Sequence, residues 1–266
     1  MKIYQAPKDI QDFFSSEPWT QKYWRTQMVF RNIDKVQDFE HPFQFAQWVV
    51  RESGWPYLPI ELPNAPYKEM LKEAKALYND GMFTMHRNDF DNVDEYYFSS
   101  DHFKEKTHRG WGACTIYGEA YNKTGHPESG NFDNYDWCPE IIERCPETYR
   151  YFRDEYPETP DGRIRFMLVD RQGYIQPHQD RTENILAPIN IALNNPLGCE
   201  FRMEHKGYVP FENGGSACFV DIGNKHSVWN RSNLPRFHII AHGKPKPEMS
   251  DIIIKSLRKL IGGKYD

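Results

Sequence analysis

The sequence is poor in the features that mark secreted, membrane-spanning and disulfide-linked proteins. Its five cysteines form no CxxC pair and no Cys/His zinc spacing, so they predict reduced thiols rather than a disulfide framework. No stretch approaches the ~18 consecutive apolar residues of a transmembrane helix, and the first residues lack the apolar core of a signal peptide. These absences predict a cytoplasmic protein that does not bind a membrane.

Several enzyme and binding classes are excluded in the same way. The chain has no GxSxG nucleophile motif, no Walker loop and no GxGxxG dinucleotide motif. Its net charge of −5 and pI near 6.1 provide no basic field for nucleic acid. What is present is a chain of 266 residues, 39% hydrophobic and 15% aromatic. That composition is sufficient for one large domain or for a catalytic core with a helical extension.

The composition and periodicity of the sequence change near residue 162. Before it, helical periodicity over 65–81 and 145–157 alternates with loops rich in proline and aromatic residues. After it, short runs rich in Ile, Val and Phe are separated by turn signals such as RQG, NNPLG, ENGG and GNK. About seven or eight strands in so short a segment predict an antiparallel barrel or sandwich. A final helix is predicted over 249–261.

We therefore predict a mainly β fold with a helical N-terminal part. Residues 1–105 are expected to cover the barrel, residues 106–248 to form it, and residues 249–266 to add a C-terminal helix. The chemistry is expected in the β-rich half, because the informative histidines lie there.

The segment GYIQPHQD places His178 and Asp180 at alternate positions of a strand, so both side chains point to one face. Alone, this pair is weak evidence for a metal site, because chance matches are common and polar residues at the rim of a turn explain it more simply. Downstream, His226 follows a β-run and a tight Gly-Asn turn. Two histidines and one carboxylate on a small barrel are the ligand set of non-haem Fe(II) oxygenases. This spacing predicts Fe(II) bound by His178, Asp180 and His226.

Arg236 opens the strand that follows His226 and lies ten residues after it. Its planar fork can bind the distal carboxylate of 2-oxoglutarate through two hydrogen bonds. Three protein ligands leave three octahedral positions free, enough for a chelating 2-oxo acid and O2. The spacing thus predicts 2-oxoglutarate as co-substrate and O2 as oxidant.

The second half of the chain resembles the double-stranded β-helix of Fe(II)/2-oxoglutarate oxygenases and, more narrowly, the aspartyl/asparaginyl β-hydroxylase family. The resemblance covers residues 108 to 243 and includes four segments: HRGWGACTIYG, CPETYRYFRDEYP, RIRFMLVDRQGYIQPHQD and PRFHIIAHG. It implies a jelly-roll, cupin-like core. It also implies a dioxygenase that hydroxylates an unactivated C–H bond of an amino acid, a peptidyl side chain or a similar small substrate, with release of succinate and CO2.

One position departs from the best-known members of that family. Those enzymes modify Asp or Asn in protein domains and have a small residue where this chain has Asp180. In this respect the chain resembles the free-amino-acid branch, such as the proline cis-hydroxylases. The retained carboxylate also favours hydroxylation over halogenation, because a halide needs the coordination position that a missing carboxylate vacates.

Two polar residues are predicted beside Arg236. Asn190 is the polar residue of an otherwise apolar strand, and His238 shares a face with Arg236. Both are predicted to line the 2-oxoglutarate site. The alternative for each is a hydrogen-bonded polar residue of the barrel core.

Three further residues are candidates for the substrate pocket. Trp111 is predicted to line its mouth, or else to pack in the core. Arg165 shares a face with Arg163, and one of the two is predicted to anchor a substrate carboxylate, or else both lie on a solvated face. Arg181 follows the HxD pair and is predicted to bind an acidic group of the substrate or to form a surface ion pair.

Two other functions remain open from the sequence. A cupin-like barrel could use the same ligands for Zn(II) or Mn(II) without 2-oxoglutarate, in which case Arg236 has no task. A β-sandwich binding module without enzymatic activity would need neither histidine.

Overall fold

The computed structural model describes residues 6–15, 57–86, 88–91, 107–119, 134–180, 188–205 and 207–262. The helices are α1 (Lys8–Ser15), α2 (Tyr67–Asn79), α3 (Pro139–Arg144), α4 (Pro146–Arg150) and α5 (Met249–Gly262), with a π-helical turn, Tyr151–Glu155, after α4. The strands are β1 (Tyr57–Ile60), β2 (Thr84–Met85), β3 (Arg109–Glu119), β4 (Tyr135–Trp137), β5 (Glu158–His178), β6 (Ile189–Ala192), β7 (Cys199–Met203), β8 (Gly207–Val209), β9 (Ser216–Val220), β10 (His226–Asn230) and β11 (Arg236–Pro245). Seven of them follow residue 157, in agreement with the predicted number.

Helix α2 ends where the sequence predicts it. Gly81 has a φ of 71°, and its N–H donates to the carbonyl of Tyr78 at 3.1 Å. The N–H of Met82 reaches back to the carbonyl of Leu77 at 2.9 Å, which completes a Schellman motif. The buried side chains recur at helical spacing: Met70, Ala74 and Leu77.

The helix predicted over 145–157 is shorter and less regular than expected. It is α4 followed by the π-helical turn, and the chain is extended from Tyr156 onward. The carboxylate of Glu73 accepts hydrogen bonds from the backbone N–H groups of Glu147 and Thr148, at 2.8 and 3.0 Å. A residue of α2 therefore caps the N-terminus of α4 and fixes the two helices together.

The strands form one antiparallel sheet that folds onto itself. Its path runs β1-β9-β6-β11-β5-β10-β7-β8, and β3 pairs with the remaining edge of β5 and with β2 and β4. Before residue 170, β5 lies between β11 and β3, with Val169 opposite both Arg236 and Trp111. After residue 173 it pairs with β10, where His178 lies opposite His226. The two halves of the sheet are thus joined through β5.

The turn predicted at RQG is instead a bend within β5. Gln172 has a φ of 56°, and a Cβ at Gly173 would lie 2.5 Å from the carbonyl oxygen of Arg109. Glycine is required there because β3 approaches the bend so closely. A single long strand therefore contributes to both sheet halves, where the sequence predicts two separate strands.

The larger half of the sheet consists of β1, β9, β6, β11 and the first part of β5, and the smaller half consists of the last part of β5 with β10, β7 and β8. The two faces of the larger half pack against different parts of the molecule. Its outer face packs against the helices through a buried apolar cluster that includes Leu58, Met70, Ile164, Phe166, Leu168, Ile239 and Ile253. Its inner face packs against the smaller half through a second cluster that includes Val169, Ala192, Phe201, Met203, Phe211, Val220 and Val228. This is the predicted double-stranded β-helix, and the fold prediction is confirmed.

The described parts of the N-terminal region pack directly onto the barrel. Strand β1 extends the sheet beside β9, and Ile10, Phe13 and Phe14 of α1 pack against Tyr174 and Trp229. The division at residue 105 stays a prediction. Within the described residues, no helix is long and apolar enough to span a bilayer.

Candidate active site

Three side chains with metal-ligating atoms meet where β5 ends and β10 begins. His178 is the last residue of β5, Asp180 follows it, and His226 is the first residue of β10. The Asp180 carboxylate lies 3.8 Å from Nε2 of His178 and 3.9 Å from Nε2 of His226. One ligand atom from each residue lies within 4.8 Å of the others. The fold thus brings together the three ligands that the sequence predicts.

Both imidazoles are oriented by backbone carbonyls. Nδ1 of His178 lies 2.8 Å from the carbonyl of Gln176, and Nδ1 of His226 lies 2.8 Å from that of Asn224. Each Nδ1–H therefore donates to a carbonyl, which leaves the Nε2 lone pairs facing Asp180. Burial, and then the neighbouring His178, lowers the pKa of His226 to about 4. His226 is neutral at physiological pH, as a metal ligand must be.

The loop between β9 and β10 holds Asp180 in place through hydrogen bonds to Asp180 and to the preceding residue. The N–H of Asp180 donates to the carbonyl of Ile222 at 3.2 Å, and the Gln179 amide donates to the carbonyl of Gly223 at 2.6 Å. The Asp180 side chain remains 47% exposed, so one side of the ligand set is open. Two imidazoles and one carboxylate with an open side fit a divalent iron that must also bind substrates.

A buried polar cluster lies on the inner faces of β11 and β6. Nη2 of Arg236 is 2.7 Å from Nδ1 of His238, which is 2.6 Å from the amide oxygen position of Asn190. Arg236 is 3% exposed and His238 is fully buried. Burial lowers the pKa of Arg236 to about 10, and burial together with Arg236 holds the pKa of His238 well below its usual value. The fold therefore groups the three residues predicted to bind 2-oxoglutarate.

One hydrogen-bond donor of this cluster is left without an acceptor. A guanidinium only donates, whereas Nδ1 of His238 has a single hydrogen-bonding site that either accepts from Arg236 or donates to the Asn190 oxygen. Among the described residues, neither Nε2 of His238 nor Nε of Arg236 has a hydrogen-bond partner. A buried guanidinium N–H without an acceptor, on a cation without a carboxylate partner, fits an anionic ligand.

Two phenylalanines connect this cluster to the metal ligands. The ring of Phe211 packs edge-on against His238 with centroids 4.6 Å apart and lies 5.9 Å from the Arg236 guanidinium. Phe201 contacts Phe211 at 5.9 Å and stacks on His226 at 5.5 Å. The sequence analysis did not identify either residue. The alternation Cys199, Phe201, Met203 marks an inward face, but it does not distinguish a site wall from a core.

Trp111 lies beside the metal ligands and also packs into the inner cluster. Its ring is 6.0 Å from that of His178 and stacks on His86 with centroids 3.9 Å apart. His108, which the sequence analysis did not select, is buried, and its Nδ1 accepts the N–H of Gln176 at 3.0 Å. Burial, and then His178, lowers the pKa of His108 to about 4. His108 therefore supports the segment that orients His178.

Comparison with known proteins identifies the family. The family model described as Aspartyl/Asparaginyl beta-hydroxylase matches residues 64–244, more than half of the chain. The chain belongs to this family. The family prediction is therefore confirmed, and the match begins well before residue 108, where the resemblance in the sequence begins. No curated protein matches the chain.

The first of three similar solved structures is a prolyl hydroxylase from Trichoplax adhaerens in complex with a hypoxia inducible factor oxygen degradation domain peptide fragment. It is 13% identical to this chain, with a TM-score of 0.42, and the match covers 85% of this chain and 94% of that protein. A Pseudomonas putida prolyl-4-hydroxylase is 14% identical with a TM-score of 0.40, covering 82% of this chain and 100% of its own. The third is an oxidoreductase of the 2OG-Fe(II) oxygenase family from Burkholderia pseudomallei. It is 13% identical to this chain, with a TM-score of 0.37, and the match covers 77% of this chain and 91% of that protein.

The remaining site candidates of this family member are arginines. Arg165 lies on β5, on the strand face that also carries Arg163 and Val169, and it is partly buried. Arg181 lies outside the described residues. The structure therefore brings one of the two arginines predicted for the substrate pocket to the inner face of the barrel.

Proposed function

We propose that the chain is an Fe(II)- and 2-oxoglutarate-dependent dioxygenase that hydroxylates an unactivated C–H bond of an amino acid, a peptidyl side chain or a similar small substrate. One atom of O2 enters the hydroxyl group and the other enters succinate, while 2-oxoglutarate loses CO2. One observation carries the proposal. The His178, Asp180 and His226 ligand set shares a barrel with Arg236, a buried cation for which the described residues provide no carboxylate partner.

The chain's own groups fit a resident Fe(II). His178, Asp180 and His226 would hold it, and when bound it supplies the activation of O2 that accompanies oxidation of 2-oxoglutarate. The carbonyls of Gln176 and Asn224 keep both imidazoles in the ligating tautomer. Because Asp180 retains its carboxylate, the position that a halide would need is filled, which supports hydroxylation rather than halogenation.

Arg236, His238 and Asn190 fit the distal carboxylate of 2-oxoglutarate. The Arg236 fork would donate to it, and His238 and Asn190, which contact each other and Arg236 in turn, would line the same position. Phe201 and Phe211 form an apolar wall between this carboxylate and the metal ligands. Arg236 would thus hold one carboxylate of the co-substrate, and the metal ligands lie on the other side of the two phenylalanines.

We propose that the substrate binds at the open side of Asp180. Trp111 is the nearest aromatic wall, since its ring lies 6.0 Å from His178. We include Arg165 and Arg181 as groups that hold an acidic part of the substrate. We also propose that the N-terminal region, residues 1–105, determines which substrate is bound. The remaining parts of the proposed division are the catalytic core, residues 106–248, and the C-terminal helix, residues 249–266.

The first test is chelation. Addition of 2-oxoglutarate to the Fe(II)-loaded protein without O2 should produce a new visible absorption band. His178→Ala and Asp180→Ala should abolish metal binding and the band, whereas His205→Asn, an exposed change in the turn after β7, should not. Metal binding without any response to 2-oxoglutarate would favour the cupin-like Zn(II) or Mn(II) enzyme. Negligible metal affinity would favour a binding module.

The second test is turnover. Under air, the Fe(II)-loaded protein is screened against free amino acids and short peptides for succinate release, followed by mass spectrometry of the products. We expect a product that has gained one oxygen atom. If the protein consumes 2-oxoglutarate but no tested compound accelerates this consumption, hydroxylation of these classes of substrate is contradicted.

A further inference from the structure

Three consecutive carbonyl groups of the loop between β9 and β10 face the metal ligands. The carbonyl of Ile222 accepts the N–H of Asp180 at 3.2 Å. The carbonyl of Asn224 lies 2.8 Å from Nδ1 of His226. The carbonyl between them accepts the side-chain amide of the residue before Asp180 at 2.6 Å. The positions of Asp180 and of the His226 ring therefore depend on the conformation of residues 222–224.

A buried carboxylate at the start of this loop restrains its conformation. Asp221 directly follows β9 and is 5% exposed. One of its carboxylate oxygens accepts the N–H of Gly223 at 3.1 Å, and the other accepts the side-chain amide of Asn224. The N–H of Asn224 donates to the backbone carbonyl of Asp221 at 3.1 Å. Because hydrogen bonds to an ionised group are stronger than neutral ones, the carboxylate fixes the peptide groups whose carbonyls face the ligands.

Asp221 acts on the metal ligands without being one of them. Among the described residues, the ligand atoms that meet belong to His178, Asp180 and His226. Burial and then His178 lower the pKa of His226, whereas the negative charges of Asp180 and Asp221 act on this ring in the opposite direction. Asp221 is thus placed to affect the metal centre in two ways, through the loop that it restrains and through its charge. A variant that retains the hydrogen bonds and loses the charge separates the two.

We infer that Asp221 is a positioning residue of the metal centre and that it acts by restraining the loop. Its carboxylate keeps the Asn224 carbonyl aimed at Nδ1 of His226, which holds the ring in the ligating tautomer, and keeps the Ile222 carbonyl on the N–H of Asp180. The effect on metal affinity rests on the proposed function, whereas the effect on the His226 tautomer does not. Loss of a group that orients metal ligands typically lowers metal affinity by about 10–100-fold.

The first measurement is the tautomer of His226 in the metal-free full chain. Long-range proton–nitrogen correlation spectra of histidine-labelled protein, recorded near neutral pH, report which ring nitrogen carries the proton, and His226→Gln identifies the signal. We expect the Nδ1–H tautomer in the wild type and a mixture of both tautomers in Asp221→Ala. Asp221→Asn should retain the wild-type tautomer. Its amide can accept the N–H of Gly223 and donate to the side chain of Asn224 once that side chain turns its oxygen inward.

The second measurement is the affinity of the same proteins for Mn(II), by calorimetric titration without 2-oxoglutarate. Asp221→Ala should bind Mn(II) about 10–100-fold more weakly than the wild type, and Asp221→Asn should bind it as tightly. Ser232→Ala is the matched control, because the Ser232 hydroxyl accepts the N–H of Leu234 and so restrains the loop at the other end of β10. This variant should retain the Mn(II) affinity and the His226 tautomer of the wild type.

Three results overturn the inference. The first is an Asp221→Ala protein that keeps either the tautomer or the Mn(II) affinity of the wild type. The second is an Asp221→Asn protein that loses as much affinity as Asp221→Ala, since charge rather than position is then responsible. The third applies where Asp221→Ala does not fold. Asn224→Ala, a partly exposed change that keeps the backbone carbonyl, then takes its place, and unchanged Mn(II) binding instead of a several-fold loss contradicts the role of Asp221.

Failure of this inference is distinguishable from failure of the proposed function. If the wild-type protein binds Mn(II) and responds to 2-oxoglutarate but Asp221→Ala binds Mn(II) equally well, the inference is wrong and the dioxygenase proposal stands. If the wild-type protein binds no metal, the proposed function is wrong. The His226 tautomer of the metal-free protein then decides the role of Asp221, and an unchanged tautomer in Asp221→Ala overturns it separately.

Discussion

The two faces of β5 carry residues of different kinds. Ile164, Phe166 and Leu168 point outward into the apolar cluster beneath the helices, and each is fully buried. Arg165 points inward, between two strands that carry Arg236, His238 and Thr115. Alternate residues of one strand thus serve different needs. The outer face stabilises the fold, whereas the inner face carries charge that burial disfavours.

This difference predicts that stability and ligand binding depend on different residues of β5. Outward residues should change the free energy of unfolding and leave ligand binding in the folded protein unaltered. Inward charged residues, unlike the apolar residues of the same face, should change ligand binding and affect stability little, because some of them are buried without their charge partners. The following changes test this division.

The largest effect is expected for the metal ligand on β10. His226→Ala removes a buried neutral ligand and should lower turnover by at least about 1,000-fold, because a two-ligand site loses its metal. Metal titration and succinate release are the measurements. Denaturant unfolding of the metal-free protein is the control, and a large loss of stability there would show that His226 serves the fold as well.

Phe166→Ala tests the outer face. The change leaves a cavity between β5 and the helices and should lower the free energy of unfolding by about 3–5 kcal/mol. Chemical denaturation measures this loss. The folded variant should still bind one metal ion with unchanged affinity. A variant that is folded but cannot bind metal would contradict the separation of the two faces.

Glu158→Gln tests a buried carboxyl group at the start of β5. Burial raises the pKa of Glu158 to about 8, and the neighbouring Tyr156 hydroxyl opposes this shift only in part. The folded protein keeps this proton while the unfolded chain releases it above about pH 4.5. The contribution of Glu158 to stability is therefore complete below that pH and is lost as the pH rises to about 8.

Unfolding at pH 5 and pH 8.5 measures this effect. Glu158→Gln should remove the decline and make the protein more stable than wild type at pH 8.5, on the order of 3 kcal/mol. Glu69→Gln, an exposed change on α2, is the matched control and should retain the wild-type slope. An unchanged slope in Glu158→Gln would assign the decline to other groups.

The smallest effect is expected for Arg236→Lys. The positive charge remains but the planar fork is lost, so the concentration of 2-oxoglutarate needed for half-saturation should rise about tenfold. Metal affinity should not change, and Arg171→Lys provides the control at an exposed position. A loss of metal binding in Arg236→Lys would mean that the two subsites are not independent.

Much of the fold and the candidate site follows from local sequence. Most strands after residue 157 follow from short apolar runs and from turn residues, which act over a few positions. His178 and Asp180 are recognisable as an HxD pair at the end of a β-run, and His226 with Arg236 ten residues later completes the pattern. These relations need no long-range information, and the structure places all four residues on one barrel. Asp180 itself lies just beyond the last residue of β5, where the loop after β9 holds it.

The tertiary structure decided the rest. The bend at Gly173 depends on the approach of Arg109 from β3, so RQG alone reads as an ordinary turn. Phe201 and His108 gain their roles from neighbours that lie 25 and 68 residues away along the chain. The inward direction of Arg165 depends on pairing with β11. Local sequence determines alternation and turns, but which face becomes the interior depends on contacts between strands that are distant in the chain.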